Sequence, residues 1–501
     1  MALPLTLPHP GSAQRFALGR TGLRDWLKGL PLGNAPEAAR CVVQQLAAMN
    51  RTRLGVHMRV DLAEMFRETA EAILPALETE LVLATLPLSG RRRTAARVAD
   101  ELLIELAYAY KIALAALSES LFSVGVRRPL QVAVLQTMRA LARRLCVAYR
   151  IYAPAPKTVW QELHILFHLA AKHRTAETFP PGCSDTPSSV YRGALLLAFA
   201  EPYKLMQGDV DRILGYLGSF VDRSTLVPHA GASDGPGAFL VRPGRDAPGS
   251  ALAKSPPAAP GSSGLALDCL PLVETLLDQI DKLESGIPCG ELGLPVIADE
   301  TMFRDLMQRL ARQWGNVATR QFGRLRTHTR VEIVVGLRAI WNFLTRSHDP
   351  ADADANIWMV TNECPGGFAL MHISGTSEPI RVGEVVAVKT LEACHICFVR
   401  WVLSDNPEHL ELGLQQFAPG ATPVGLGSED ASESEPALLL PEIPALHRAA
   451  AILAPYGQVD ASREFLMDGQ DTRLRVRATT LLEQTLSFQM FHFSTAGMLQ
   501  G

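Results

Sequence analysis

The sequence predicts a multidomain α+β protein in which an all-α helical N-terminal array comes first, a small antiparallel β-barrel follows, and a C-terminal β extension ends the chain. Apolar residues recur at three- and four-residue intervals from about 36 to 222, as in amphipathic helices. A stretch rich in Gly, Pro, Ala and Ser occupies 224–264. After residue 331 the apolar period becomes two, which is typical of half-buried strands.

The composition is that of a globular protein. Of the 501 residues, 48% are apolar and 20% are charged, so the chain has too much apolar surface to remain disordered. A formal net charge of −3 argues against a protein that binds polyanions over its whole surface, and we therefore expect no direct nucleic-acid contact. The eight scattered cysteines favour reduced thiols in a cytoplasmic protein. No signal-peptide pattern or unbroken apolar span predicts membrane insertion.

The helical N-terminal domain is expected to cover 1–223. Helix breakers such as Pro87 with Gly90 and Pro154 with Pro156 divide it into separate helices. The stretch at 224–264 is expected to be a flexible linker with one short strand at Phe239–Val241, because it cannot form a core of any size. Connecting helices near 268–285 and 300–314 are predicted within 265–319.

The β-barrel is predicted over 320–426. Val331, Ile333 and Val335 alternate with polar or small residues, and short strand-forming runs are separated by turn residues at the density of a small barrel. The clearest later runs are 384–389 and 394–403. An acidic spacer at 427–436 then leads to a β-rich extension at 437–501.

The candidate site combines arginines with a glycine-rich turn. Arg324, Arg326 and Arg330 lie beside the first barrel strand, and guanidinium groups bind phosphate oxygens and the O6/N7 edge of guanine with two hydrogen bonds at once. The turn at 362–367 carries Asn362 and Cys364, and its Pro-Gly-Gly lets a ligand approach the backbone closely. These residues predict a site for a small, planar, phosphorylated ligand.

The order of these motifs resembles the PilZ domain, a six-stranded barrel that binds cyclic di-GMP. The resemblance covers roughly 320–420 and rests on Arg326-x-x-x-Arg330, Asn362-x-Cys364-x-x-Gly367, Val399-Arg400-Trp401-Val402 and Leu412-Gly413-Leu414. The family has a serine where this chain has Cys364, and a thiol is a weaker hydrogen-bonding group than a hydroxyl.

The resemblance implies the role of each candidate residue. Arg326 and Arg330, with Arg324 beside them, would clamp a guanine and the phosphates of cyclic di-GMP. The other guanine or its ribose would be held from the barrel surface by the turn residues Asn362, Cys364, Gly366 and Gly367.

The expected function is that of a bacterial, cytoplasmic cyclic di-GMP receptor without enzymatic activity, a cofactor or a metal. It would pass ligand binding to an unidentified protein partner through the helical domain. The alternative is a degenerate PilZ-like scaffold or interaction protein that binds no nucleotide. The sequence contains no nucleophile paired with a base, no P-loop and no Rossmann fingerprint in a suitable position.

Two weaker patterns favour structural roles. His164 and His168 have the i, i+4 spacing of metal ligands, but no third ligand or H-E-x-x-H glutamate accompanies them, so packing is the better interpretation. Cys394 and Cys397 form a single C-x-x-C within a predicted strand, where they would point to opposite faces.

Overall fold

The computed structural model divides into two compact units. The first contains Met1–Ala84 and Leu88–Thr319; the second contains Thr85–Pro87 and Arg320–Gly501, with Leu86 bridged to Ile380 inside it. The structure describes residues 3–9, 16–119, 127–229, 235–254, 264–295, 300–315, 323–345, 356–375, 378–390, 393–406, 409–427, 434–444, 447–457, 464–469 and 473–498.

The expected helical array is present in the first unit. Local signals fix helix starts: the Asn34 side chain accepts from the Glu37 amide, and Thr186 with Ser189 forms a capping box. No helix among the described residues is long and apolar enough to cross a membrane. The N-terminal helices are α1 (Arg20–Lys28), α2 (Ala35–Asn50), α3 (Val56–Val82), α4 (Gly90–Glu119), α5 (Arg127–Arg150), α6 (Val159–Lys172), α7 (Pro187–Phe199) and α8 (Asp209–Phe220).

The two connecting helices are also present, as α9 (Leu270–Glu284) and α10 (Glu300–Gly315). They belong to the first unit rather than to a separate connector. The fully buried Trp314 of α10 donates its indole hydrogen to the carbonyl oxygen of Leu196 at 3.0 Å, which ties this helix to α7.

The segment 224–264 differs from the expected flexible linker. It contributes β1 (Thr225–Pro228), β2 (Ala238–Val241) and β3 (Ser250–Ala251) to a four-stranded sheet that β4 (Leu265–Asp268) completes. The expected short strand at Phe239–Val241 is β2. Main-chain pairing and a few buried apolar side chains hold the described part of this segment. The prediction of a flexible linker, which relied on the Gly- and Pro-rich composition, was therefore wrong for these residues. Residues 230–234 and 255–263 lie outside the described part.

The first barrel in the second unit is a closed ring of six antiparallel strands, ordered β10-β7-β6-β5-β8-β9. It confirms the expected barrel. Its strands are β5 (Leu325–Val335), β6 (Ile357–Cys364), β7 (Gly367–Ser374), β8 (Val385–Lys389), β9 (Cys394–Asn406) and β10 (His409–Ala418).

Two features near the start of this barrel differ from the sequence interpretation. The first strand begins at Leu325 and not near Val331, because its polar first half pairs with β6. A helix, α11 (Leu337–Thr345), follows the strand at Gly336, whose φ of +92° is readily adopted only by glycine. The apolar spacing of Leu337, Ile340 and Leu344 was the available signal for α11.

The C-terminal extension is a second closed barrel, ordered β11-β12-β13-β16-β15-β14. Its first strand follows directly after β10, so residues 422–426, expected at the end of the first barrel, belong to this second barrel instead. Of the expected acidic spacer, residues 428–433 lie outside the described part. The strands are β11 (Thr422–Gly427), β12 (Glu435–Leu440), β13 (Ala451–Pro455), β14 (Glu464–Asp468), β15 (Arg473–Gln484) and β16 (Phe488–Met498).

The two barrels have the same connectivity. When the strands of each are counted from one to six, the ring order is 1-2-3-6-5-4 in both. They share an apolar core in which α11 packs with β8, β9 and the end of β10 from the first barrel against β12, β13 and β16 from the second. Phe398 and Phe417 stack in this core, and Phe488 meets both rings edge-on.

Candidate functional site: one exterior face of the first barrel

A row of directly opposed residues crosses four neighbouring strand pairs of the first barrel. Arg326 is paired with Asn362, Asn362 with Ala369, Ala369 with Gly413, and Gly413 with Trp401. Opposed residues of an antiparallel sheet project to the same face. The row flanks interior pairs such as Leu370 with Leu412, so we place it on the exterior.

The arginines lie at the open edge of this row. Arg324, Arg326 and Arg330 are exposed, and none forms an ion pair or a side-chain hydrogen bond with the described residues. Arg326 and Arg330 belong to β5, and a register shift separates Arg326 from Thr329. The sequence placed them in a connecting segment; the structure places them on a paired strand whose backbone fixes their spacing.

The predicted turn is a tight hairpin between β6 and β7. Cys364 is paired with Gly367, which leaves Pro365 and Gly366 as the two turn residues. Gly367 has a φ of +147°, and a Cβ there would overlap the carbonyl of Leu414. Only glycine therefore permits β7 and β10 to approach this closely.

The turn is bonded to the far end of β10. The amide of Gln416 donates to the Gly366 carbonyl at 2.9 Å. The Gln416 side chain lies 3.2 Å from Nδ1 of His395, whose ring is 5.3 Å from that of Phe368. Burial lowers the pKa of His395, against the opposing effect of Glu363, so the imidazole is neutral near pH 7.

Of the three arginines, Arg326 lies directly beside the turn residues, whereas Arg330 is paired with Met359 further along β5. Asn362 is half-buried and directly opposite Arg326, and Cys364 is half-buried two residues further along the same face. Gly366 lies beside the Cys364 sulfur, which is 3.9 Å from where a Cβ of residue 366 would be.

Trp401 is a further residue of this face that the candidate set did not include. A Cβ on Gly413 would overlap the indole nitrogen of Trp401, which shows that the ring lies flat across the glycine. Ala369 and Gly413 are the two smallest side chains of the row. The V-R-W-V and L-G-L motifs contained this signal, since a glycine opposite a tryptophan makes room for the ring.

The weaker candidates have structural partners. His164 is buried, with Nδ1 bonded to the Tyr191 hydroxyl and Nε2 2.9 Å from the carbonyl oxygen of Ala247, whereas His168 is exposed. The two imidazoles therefore do not share a face toward one ligand. Cys394 is half-buried and Cys397 fully buried on β9, and both are free thiols, in agreement with the strand interpretation.

Three family models match successive parts of the chain. They are described as the N-terminal domain of the cyclic-di-GMP receptor FimW (residues 21–230), the middle PilZ domain of that receptor (238–351) and the FimW C-terminal β-barrel domain (420–496). The last match coincides with β11–β16. The PilZ match ends before β6, so it contains the arginines but not the 362–367 turn.

A curated relative matches along most of its length. The chain is 25% identical over 523 aligned residues to the cyclic-di-GMP receptor FimW of Pseudomonas aeruginosa, and the alignment covers 86% of this chain and 83% of that protein. The domain order agrees with the first unit, called here the helical unit, and with the two barrels of the second unit. From its helical domain to its second barrel, the chain is therefore similar to the non-enzymatic cyclic-di-GMP receptors that combine a FimW-type N-terminal domain, a PilZ domain and a C-terminal β-barrel.

Proposed function

We propose that this chain binds cyclic di-GMP on the exterior face of the first barrel formed by Arg326, Arg330 and the 362–367 turn. The observation that carries the proposal is the pairing of Arg326 with Asn362, which sets an exposed arginine without a described partner beside the turn. A doubly negative ligand would give these arginines the charged partners that the described residues do not provide.

Each part of the face has a chemical task. The guanidinium groups of Arg326 and Arg330, with Arg324 beside them, bind the phosphates and one guanine edge. Asn362 offers both a donor and an acceptor to the second nucleotide, and Cys364 offers a weak donor. Gly366 and Gly367 add no side chains to the turn, so that a base or ribose can contact the backbone of these two residues.

We further propose that the bound state is read by a cytoplasmic protein partner of the helical unit. Residues 316–324 link α10 to β5, and the candidate arginines begin at the end of this link. A ligand that neutralises Arg324 and Arg326 changes the charge at the start of the first barrel. It can alter binding of a partner only by the difference in its own affinity for the free and the partner-bound protein.

Isothermal titration with cyclic di-GMP distinguishes the receptor from a scaffold that has lost nucleotide binding. We expect binding by the full chain, weakened by on the order of 2 kcal/mol in each of Arg326→Ala and Arg330→Ala, because each change removes charge-assisted hydrogen bonds. Arg473→Ala is the matched control: Arg473 is exposed on β15, where it pairs with Asp468 at 3.0 Å.

The control should bind as the parent chain does, and higher salt should weaken binding because the phosphate contacts are screened. If the parent chain releases no heat of binding at millimolar cyclic di-GMP, the result would support the scaffold that binds no nucleotide.

The proposed protein partner is tested by affinity capture. The full chain should recover a protein whose yield changes with cyclic di-GMP. A yield that responds equally with the Arg326→Ala, Arg330→Ala double variant would contradict signalling through this site.

A further inference from the structure

The second barrel has a distinctive connection at the position that corresponds to the 362–367 turn of the first barrel, called here the ligand turn. In both barrels the second and third strands are adjacent, and in the first barrel the ligand turn joins them. Residues 441–450 join them in the second. This connection lacks the Asn-x-Cys-x-x-Gly pattern, and β11 carries no arginine, so the second barrel does not repeat the candidate site.

This connection, called here the 441–450 loop, is anchored to the shared core. Ile443 packs against that core as a half-buried side chain. Its amide donates to the Arg448 carbonyl at 2.8 Å, and the Arg448 amide returns a bond to the Ile443 carbonyl at 3.2 Å. The paired backbone holds Arg448 at a fixed distance from the core.

The Arg448 side chain contacts the end of β10. Its Nη1 atom donates to the carbonyl oxygens of Gln416 at 3.2 Å and Phe417 at 3.3 Å. The register of β10 against β9 shifts between Gln416 and Ala418, an irregularity that disrupts regular ladder pairing at this point. A charged donor therefore binds main-chain acceptors where the strand is irregular.

Gln416 bonds in two directions. Its carbonyl accepts from Arg448 in the second barrel, while its amide donates to the Gly366 carbonyl in the ligand turn at 2.9 Å. The contact between the second barrel and the turn thus passes through the backbone of one residue.

We infer that Arg448 is a positioning residue for the ligand turn, and that the second barrel serves to hold that turn in its binding conformation. The inference rests on the proposed cyclic di-GMP site. Without the guanidinium, the carbonyl oxygens of Gln416 and Phe417 lose a charged donor at the irregular end of β10, and the turn that Gln416 bonds samples more conformations. Binding must then restrict these conformations, which lowers affinity without removing any group that touches the ligand.

The test compares Arg448→Met with Arg338→Met in the full chain. Arg338 on α11 also reaches across to the second barrel, where it pairs with Glu435 at 3.1 Å, but it does not bond to β10. Amide exchange is measured first without ligand, on peptides covering 362–368 and 412–418. Affinity for cyclic di-GMP is then measured by calorimetry, and Arg448→Lys serves as the conservative variant.

We expect Arg448→Met to speed exchange in both peptides and to weaken binding about fivefold, the scale of the net contribution of one ordinary hydrogen bond. Arg338→Met should do neither, and Arg448→Lys should restore part of the affinity. Unchanged exchange and affinity in Arg448→Met would overturn the inference. An absence of binding by the parent chain would instead overturn the proposed function, while the ligand-free exchange would still report on Arg448.

Discussion

The indole ring of Trp401 lies across Gly413 on the exterior of the first barrel, in space that any side chain at position 413 would fill. The two residues are directly paired between β9 and β10. The glycine therefore sets the position of the ring, and the ring covers the end of the row that begins at Arg326.

Gly413→Ala should displace the Trp401 ring and destabilise the first barrel by about 2 kcal/mol, as expected for overpacking. Binding of cyclic di-GMP should weaken as well, because the ring leaves the face. Chemical denaturation followed by tryptophan fluorescence measures the first effect and titration the second. Gly420→Ala is the control, since a Cβ there has no neighbour within 4 Å. Equal stability of the two variants would show that the ring moves at no cost.

Cys364→Ser should keep or improve affinity for cyclic di-GMP, because a hydroxyl is the stronger hydrogen-bonding group in nearly the same volume. Cys364→Phe should block binding, since a large ring at this place on the face occupies the space for a base. Both variants are titrated after circular dichroism has shown that they are folded. A folded serine variant without affinity would place the ligand elsewhere.

Asp246→Ala should destabilise the helical unit by about 1 kcal/mol, the usual value of a helix cap. The carboxylate of Asp246 accepts from the Thr158 amide at 2.6 Å and from the Gln161 amide at 3.1 Å, and so caps α6 from a distant segment. Limited proteolysis should cut near 242–249 faster in this variant than in the parent. Asp246→Asn keeps an acceptor oxygen and should lose less stability than Asp246→Ala. Identical cleavage of the parent and both variants would mean that the contact of Asp246 with α6 does not hold the segment at 242–249.

The helical unit should lose stability as the pH falls below about 6.5, the ordinary pKa of histidine. Burial lowers the pKa of His164 in the folded chain, although Asp246 and the Ala247 carbonyl act in the opposite direction. The unfolded chain therefore binds a proton at a pH where the folded chain does not, so stability is full above this range and decreases toward the folded pKa. Denaturant midpoints at pH 7.5 and pH 5.5 measure the loss.

His164→Gln should show a smaller difference between the two pH values than the parent. The exposed His168, one turn further along α6, provides the control variant His168→Gln. If both variants keep the parent's pH dependence, another group is responsible for it.

The sequence by itself determined the order of the helical and barrel parts and the identity of the candidate binding residues. Helix periodicity, strand alternation and the spacing from Arg326 to Gly367 are local properties, and each depends on residues close in the chain. For the same reason the connecting helices α9 and α10 were predicted within a few residues of their bounds.

Only the tertiary structure decided which segments are paired and where each barrel closes. The Gly- and Pro-rich segment around β2 is held by partners that are distant in sequence, including β4 and α6. The composition of the segment does not indicate these partners. Residues 422–427 pair with β12 and β14 and so belong to the second barrel. The contact of Arg448 with Gln416 likewise depends on two barrels packed around one core, because a long-range pairing is fixed by the whole fold and not by neighbouring residues.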